Sequence, residues 1–126
     1  MKSYEIGIEI KGVYIMDAEN QEQAKEATRE EMESLRDLLS HLLGVDLQVN
    51  ITNVTPTEET PPIVFPGGSI QAFEVSFSFK GVILQKGLNK EKAIKEVIRH
   101  LKSKWAQIED IIMVEFELWV EGQIMT

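Results

Sequence analysis

The chain of 126 residues has no cysteine, which excludes disulfides, thiolate metal sites and thiol nucleophiles. Proline is scarce and confined. All four prolines lie between residues 55 and 72, so no ring that lacks a backbone donor interrupts the rest of the chain. Long apolar runs are missing too. None approaches the roughly 18 residues of a membrane-spanning helix. The opening stretch from Met1 to Gly12 alternates polar and apolar side chains, unlike the continuous apolar core of a secretory signal. A cytoplasmic protein with no membrane partner is expected. Cations are outnumbered, 13 Lys and Arg against 21 Asp and Glu, giving a formal net charge of −8. That balance disfavours general affinity for nucleic acid or anionic lipid.

The patterns of common catalytic and cofactor sites are also lacking. There is no phosphate-cradling glycine loop, no H-E-x-x-H and no G-x-S-x-G. His41 and His100 fall in or near the last turns of two expected helices, where a cation meets the negative end of the helix dipole. Neither has an obvious serine or acid partner in sequence. Asn50-Ile-Thr52 and Asn53-Val-Thr55 match the glycosylation pattern, but the first falls inside an expected strand and both are read as chance. No enzyme activity and no cofactor are expected.

What is present is a repeat. Tyr4–Val13 aligns with Phe73–Val82 at an offset of 69 residues, and Glu5, Lys11, Gly12, Val13, Asn20, Glu22 and Ala24 recur as Glu74, Lys80, Gly81, Val82, Asn89, Glu91 and Ala93. The apolar phase holds to the end of the unit, where Leu47, Val49 and Ile51 fall on Phe116, Leu118 and Val120. Each unit reads as strand, strand, helix, strand. Alternation from Tyr4 to Ile10 marks a half-buried strand, and Lys11-Gly12 then supplies a hairpin turn. Ile10 would face Val13 and Ile8 would face Ile15. The second unit repeats this at Lys80-Gly81. Asn20 and Asn89 are N-caps, Gln23 completes a capping box, and Gly44 ends the first helix. An apolar stripe through Ala24, Ala27, Glu31, Leu35, Leu38, Leu39, Leu42 and Leu43 is broken only at Glu31. The second helix runs from Asn89 to between Trp105 and Asp110.

The expected fold is α+β, a single domain over 1–126. It is a two-layer α/β sandwich from a tandem duplicated β-β-α-β unit, with a mixed, mostly antiparallel sheet and two helices on one face. Residues 1–54 form the first unit, 55–72 a Pro/Gly-rich linker and 73–126 the second. The linker is neither helix nor central strand. Its island Ile63-Val64-Phe65, between prolines, packs over a sheet edge or binds a partner.

The second sheet face is then open. It holds many glutamates, with Tyr14, Met16, Ile83 and Trp119 as a candidate interface. Aromatics interleaved with cations, as single-stranded nucleic acid requires, are not there. Charge is uneven: residues 1–54 hold 11 acids and 5 bases, whereas residues 70–126 hold 8 of each. The first helix is acidic and the second basic, so neighbouring flanks attract. These features point to a non-enzymatic acidic interaction protein that works through its surface as a homodimer, with a protein partner and no nucleic acid. The alternative is an acidic inhibitor or nucleic-acid mimic that occupies a basic groove of another protein. A third is a weak small-ligand or metal-binding domain using surface glutamates such as Glu5/Glu9 and Glu115/Glu117/Glu121.

Overall fold

The computed structural model describes residues 1–57 and 61–125. The elements are β1 (Lys2–Ala18), α1 (Gln21–Leu43), β2 (Gln48–Pro56), β3 (Ile63–Phe65), β4 (Gly68–Gly87), α2 (Lys90–Ser103), α3 (Trp105–Ile112), β5 (Phe116–Val120) and β6 (Gln123–Ile124). The protein is α+β. Its sheet is open and has six strands in the order β2-β4-β1-β5-β6, with β3 paired to the start of β4. Every pairing is antiparallel, so the expected mixed sheet is corrected. Without β3 and β6 the order of elements is β-α-β-β-α-β, the split βαβ layout.

The hairpins expected at Lys11-Gly12 and Lys80-Gly81 do not form. β1 and β4 run straight through them and pair without a break from Lys2↔Gly87 to Ala18↔Gln71. The glycines serve close approach instead. A Cβ on Gly12 would lie 2.6 Å from the Phe77 ring and 3.0 Å from the Glu115 carbonyl oxygen. A Cβ on Gly81 would lie 2.8 Å from Leu47 and Val45 and 3.0 Å from the Asp46 carbonyl oxygen. At each site the chain entering a later strand crosses a long strand where no side chain can stand. β2 and β5 therefore do not pair with the strand of their own unit. β2 lies beyond β4 and β5 beyond β1.

The register is reciprocal. Ile10 faces Phe79 in the central pair, Ile8 faces Val120 in β1–β5, and Phe77 faces Ile51 in β2–β4. Ile8 and Phe77, Ile10 and Phe79, and Ile51 and Val120 are each separated by the repeat offset of 69. The match ends at Thr52, where β2 carries a bulge and continues. At the corresponding Glu121, β5 turns back into β6 through Glu121-Gly122, both with positive φ (50° and 76°).

Side-chain phase follows from the unbroken strands. Ile6, Ile8 and Ile10 of β1 and Phe77 and Phe79 of β4 pack with Met32, Leu39, Val97, Leu101 and Ile108 of the helices in one core. Phe77 and Phe79 meet edge to face at 5.6 Å. Because β1 does not fold back, Tyr14 continues the inward series and packs on this core, as does Ile83, while Met16 packs on a second cluster around Phe73 and Val75. Of the four residues expected on the open face as a candidate interface, Trp119 lies there, and Tyr14, Met16 and Ile83 pack inward.

Both N-caps form: Asn20 Oδ1 accepts from the Gln23 N–H at 2.8 Å and Asn89 Oδ1 from the Lys92 N–H at 2.9 Å. The Glu19 N–H donates to Gln23 Oε1 at 2.6 Å. Gly44 closes α1 in the left-handed region at φ 67°, and Met113 does the same for α3 at φ 62°. The buried stripe of α1 runs Ala24, Thr28, Met32, Leu39, Leu43, at steps of four and seven residues that bypass Glu31. The second helix is two helices. The Lys104 N–H turns back to the Leu101 carbonyl at 3.1 Å, a tighter closure that bends the axis before α3.

The linker carries more structure than its prolines indicate. β2 extends to Pro56, and β3 pairs with Gly68–Ile70 around Pro66-Gly67. Gly67 has φ 97°, as the second central residue of a Pro-Gly type II turn requires. Glu58, Glu59 and Thr60 of the linker and Thr126 at the end of the second unit lie outside the described residues.

Candidate functional site

The face of the sheet opposite the helices has a polar centre. Glu9 stands 3.5 Å from Lys11 and 3.6 Å from Lys80. Lys11 also lies over the Trp119 ring, 4.5 Å from its centroid, a contact of about 0.5–1 kcal/mol at an exposed site. Glu121 ties this centre to the β5 turn: its Oε1 accepts from the Gly7 N–H at 3.1 Å and lies 3.8 Å from Lys90. The Trp119 indole N–H is buried without a partner among the described residues.

On either side of the centre lies an exposed aliphatic pair. Val13 and Ile15 are 45% and 57% exposed, and Val82 and Leu84 are 55% and 71% exposed. Hairpins at Lys11-Gly12 and Lys80-Gly81 would put these residues on the same side as Ile8, Ile10, Phe77 and Phe79. An unbroken strand carries the odd residues of β1 and the even residues of β4 to the open face.

Each pair sits on a free sheet edge. β5 covers β1 only from Ile8 to Gly12, and β2 covers β4 only from Phe73 to Lys80. The Gly7 carbonyl accepts from the Glu121 N–H at 2.9 Å, and the Ala72 carbonyl from the Thr57 N–H at 2.9 Å. These bonds fix which way the backbone points. By antiparallel alternation, Val13, Ile15 and Asp17 point their backbone groups outward from β1, and Val82, Leu84 and Lys86 point theirs outward from β4. Among these six, only the Lys86 carbonyl has a partner among the described residues, the Gln85 side-chain amide at 3.2 Å.

The surroundings of the two edges differ in charge. Beside β4, Lys80 faces Glu9 and Leu84 faces Glu5 across the ladder, with Lys86 next along the face. Lys80 and Lys86 offset Glu5 and Glu9 there, and Asp46 and Glu121 border the same edge. Beside β1, a groove of about 1400 Å³ is lined by Glu9, Glu109, Asp110, Glu115 and Glu117, with Lys11 as its one cation among the described residues. Trp105 and Phe116 in its wall lie 4.9 Å apart, ring to ring.

The other expected features are distributed as follows. Ile63 and Val64 are 67% and 79% exposed, so the island forms a projecting ribbon and does not pack over the sheet edge. His41 and His100 lie in the last turns of α1 and α2. Glu22, Glu26, Glu30 and Asp37 lie on the exposed side of α1. No ion pair joins α1 to α2 among the described residues, so the expected attraction between flanks takes no direct form there. Arg36 bonds to Asp37 at 3.0 Å and lies 3.4 Å from Glu33. Asp37 first and Glu33 second raise its pKa above the usual value. Among the described residues no group of three or more His, Asp or Glu side chains could hold a metal ion, and no helix is long and apolar enough to cross a membrane.

Comparison with known proteins finds no matching family model, no matching curated protein and no matching solved structure.

Proposed function

We propose that the protein is a non-enzymatic interaction module of the cytoplasm, built as a tandem duplication in two layers, and that it works as a homodimer joined at the free edge of β4. The exposed Val82–Leu84 edge carries this reading. Unpaired strand edges associate readily, and Lys80 and Lys86 offset part of the acidic charge beside this one. A twofold axis through Leu84 sets Leu84 against Leu84 and Val82 against Lys86, so no like charges face each other. Duplication is supported by the reciprocal register, by crossings at both Gly12 and Gly81, and by left-handed caps at both Gly44 and Met113.

Sedimentation velocity at micromolar concentrations tests the dimer. The native chain sediments as a dimer and Leu84→Lys as a folded monomer. A native chain that stays monomeric throughout contradicts the reading. The column Glu22, Glu26, Glu30 and Asp37 on α1 favours a second reading, mimicry of nucleic acid toward a basic groove. Under both readings labelled duplex DNA does not bind at physiological salt, because phosphate contacts need clustered cations.

A further inference from the structure

We propose that the groove beside residues 13–17 of β1 receives an extended segment of another protein, in which Lys or Arg alternates with aliphatic residues. The segment adds to the sheet as a strand antiparallel to β1, in line with β5. This site is distinct from the dimer edge on β4.

Backbone, shape and charge all bear on it. Val13, Ile15 and Asp17 offer outward N–H and C=O groups with no partner among the described residues. In strand addition such main-chain groups supply affinity and alternate side chains supply selectivity. An added strand places one set of side chains on the open face beside exposed Val13 and Ile15, where aliphatic residues fit. Its other set meets Trp105, Glu109 and Asp110 of α3, which line the same groove. A cation there gains both carboxylate and ring contacts.

The groove's own cation, Lys11, lies opposite Glu117 and is shared with Glu9 and Trp119, so one lysine stands against the five carboxylates that line the groove among the described residues. The Ser78 hydroxyl also lines the groove. It is 2% exposed and has no partner among the described residues, and it lies on β4 one strand inside this edge. A second copy is the poorer occupant. The exposed ribbon of β3 and Gly68–Ile70, which a second copy could insert, has no cation to offer.

The test uses the full chain and two labelled peptides, one alternating Val with Lys and one alternating Val with Glu. Fluorescence anisotropy is read at low and at physiological salt, with amide hydrogen exchange on the complex. The Lys peptide binds, more tightly at low salt, and the Glu peptide does not. Asp110→Lys combined with Glu115→Lys weakens binding about tenfold or more, a change of about 1.4 kcal/mol. The amides of Val13, Ile15 and Asp17 become protected on binding. Ile15→Pro removes one outward donor while leaving the ladder to β4, and it weakens binding; circular dichroism checks that each variant is folded. Equal binding of both peptides, indifference to the two charge reversals, or protection at Val82 and Leu84 instead would overturn the proposal. So would protection of residues 13–17 that rises with protein concentration alone, since a second copy would then fill the groove. The dimer is read separately through Leu84, so failure of either idea leaves the other standing.

Discussion

The free edges of β1 and β4 share an outline and differ in charge. Val13 corresponds to Val82, Ile15 to Leu84 and Asp17 to Lys86 at the repeat offset, and each aliphatic pair lies exposed on the open face. Around Leu84, lysines and glutamates alternate across the ladder. Around Ile15, carboxylates from α3 and the loop before β5 dominate. The backbone frame sets where an edge is left free, and neighbouring side chains set what it accepts. The two edges thus present similar backbone frames in different surroundings.

The largest effect tests the shared frame at its centre. Ile10 and Phe79 face each other and are fully buried. Phe79→Ala lowers stability by about 3–5 kcal/mol and Ile10→Ala by about 2–5 kcal/mol, as read by chemical denaturation. A mild loss at one and a severe loss at the other would show that the two halves do not share the core equally.

Gly12→Val and Gly81→Val come next. Each forces a side chain against a crossing carbonyl and costs about 1–3 kcal/mol. Surface turn glycines would give much smaller losses, so thermal unfolding of the two variants separates crossing from turn.

The smallest effect sharpens a difference between the halves. Gly44 and Met113 hold matching left-handed caps, but only one is glycine. Met113→Gly raises stability by about 1 kcal/mol and Gly44→Ala lowers it by a similar amount. Met113 also borders the groove, so a loss of stability on Met113→Gly would indicate that its side chain holds the groove wall in place.

Much of the frame was legible in the sequence because it rests on local chemistry. Asn20, Asn89 and Gly44 announce helix ends through bonds to nearby backbone. Alternation from Tyr4 to Ile10 identifies a strand with one buried face. Beyond Lys11 the pattern loses its power. Val13 and Ile15 are apolar, and so are Tyr14 and Met16, so either parity could face the core and a hairpin satisfies the residues as well as a straight strand. The choice is made by Phe77 and by the chain at Asp46 and Glu115, which are distant in sequence from the glycines they cross. The α1 stripe is displaced from the expected one: Thr28 and Met32 are buried where Ala27 and Glu31 were expected. Trp119 was legible on the open face because β5 alternates cleanly. The free edges were not, since an edge exists only where a neighbouring strand ends.

Hydrogen exchange at the outward amides tests the use of the two edges most directly. Exchange at Val82, Leu84 and Lys86 is compared with that at Val13, Ile15 and Asp17 across a range of protein concentrations, without any added peptide. The account predicts that the β4 amides slow as concentration rises while the β1 amides stay fast. Slowing at both edges, slowing at β1 alone, or slowing at neither would contradict it.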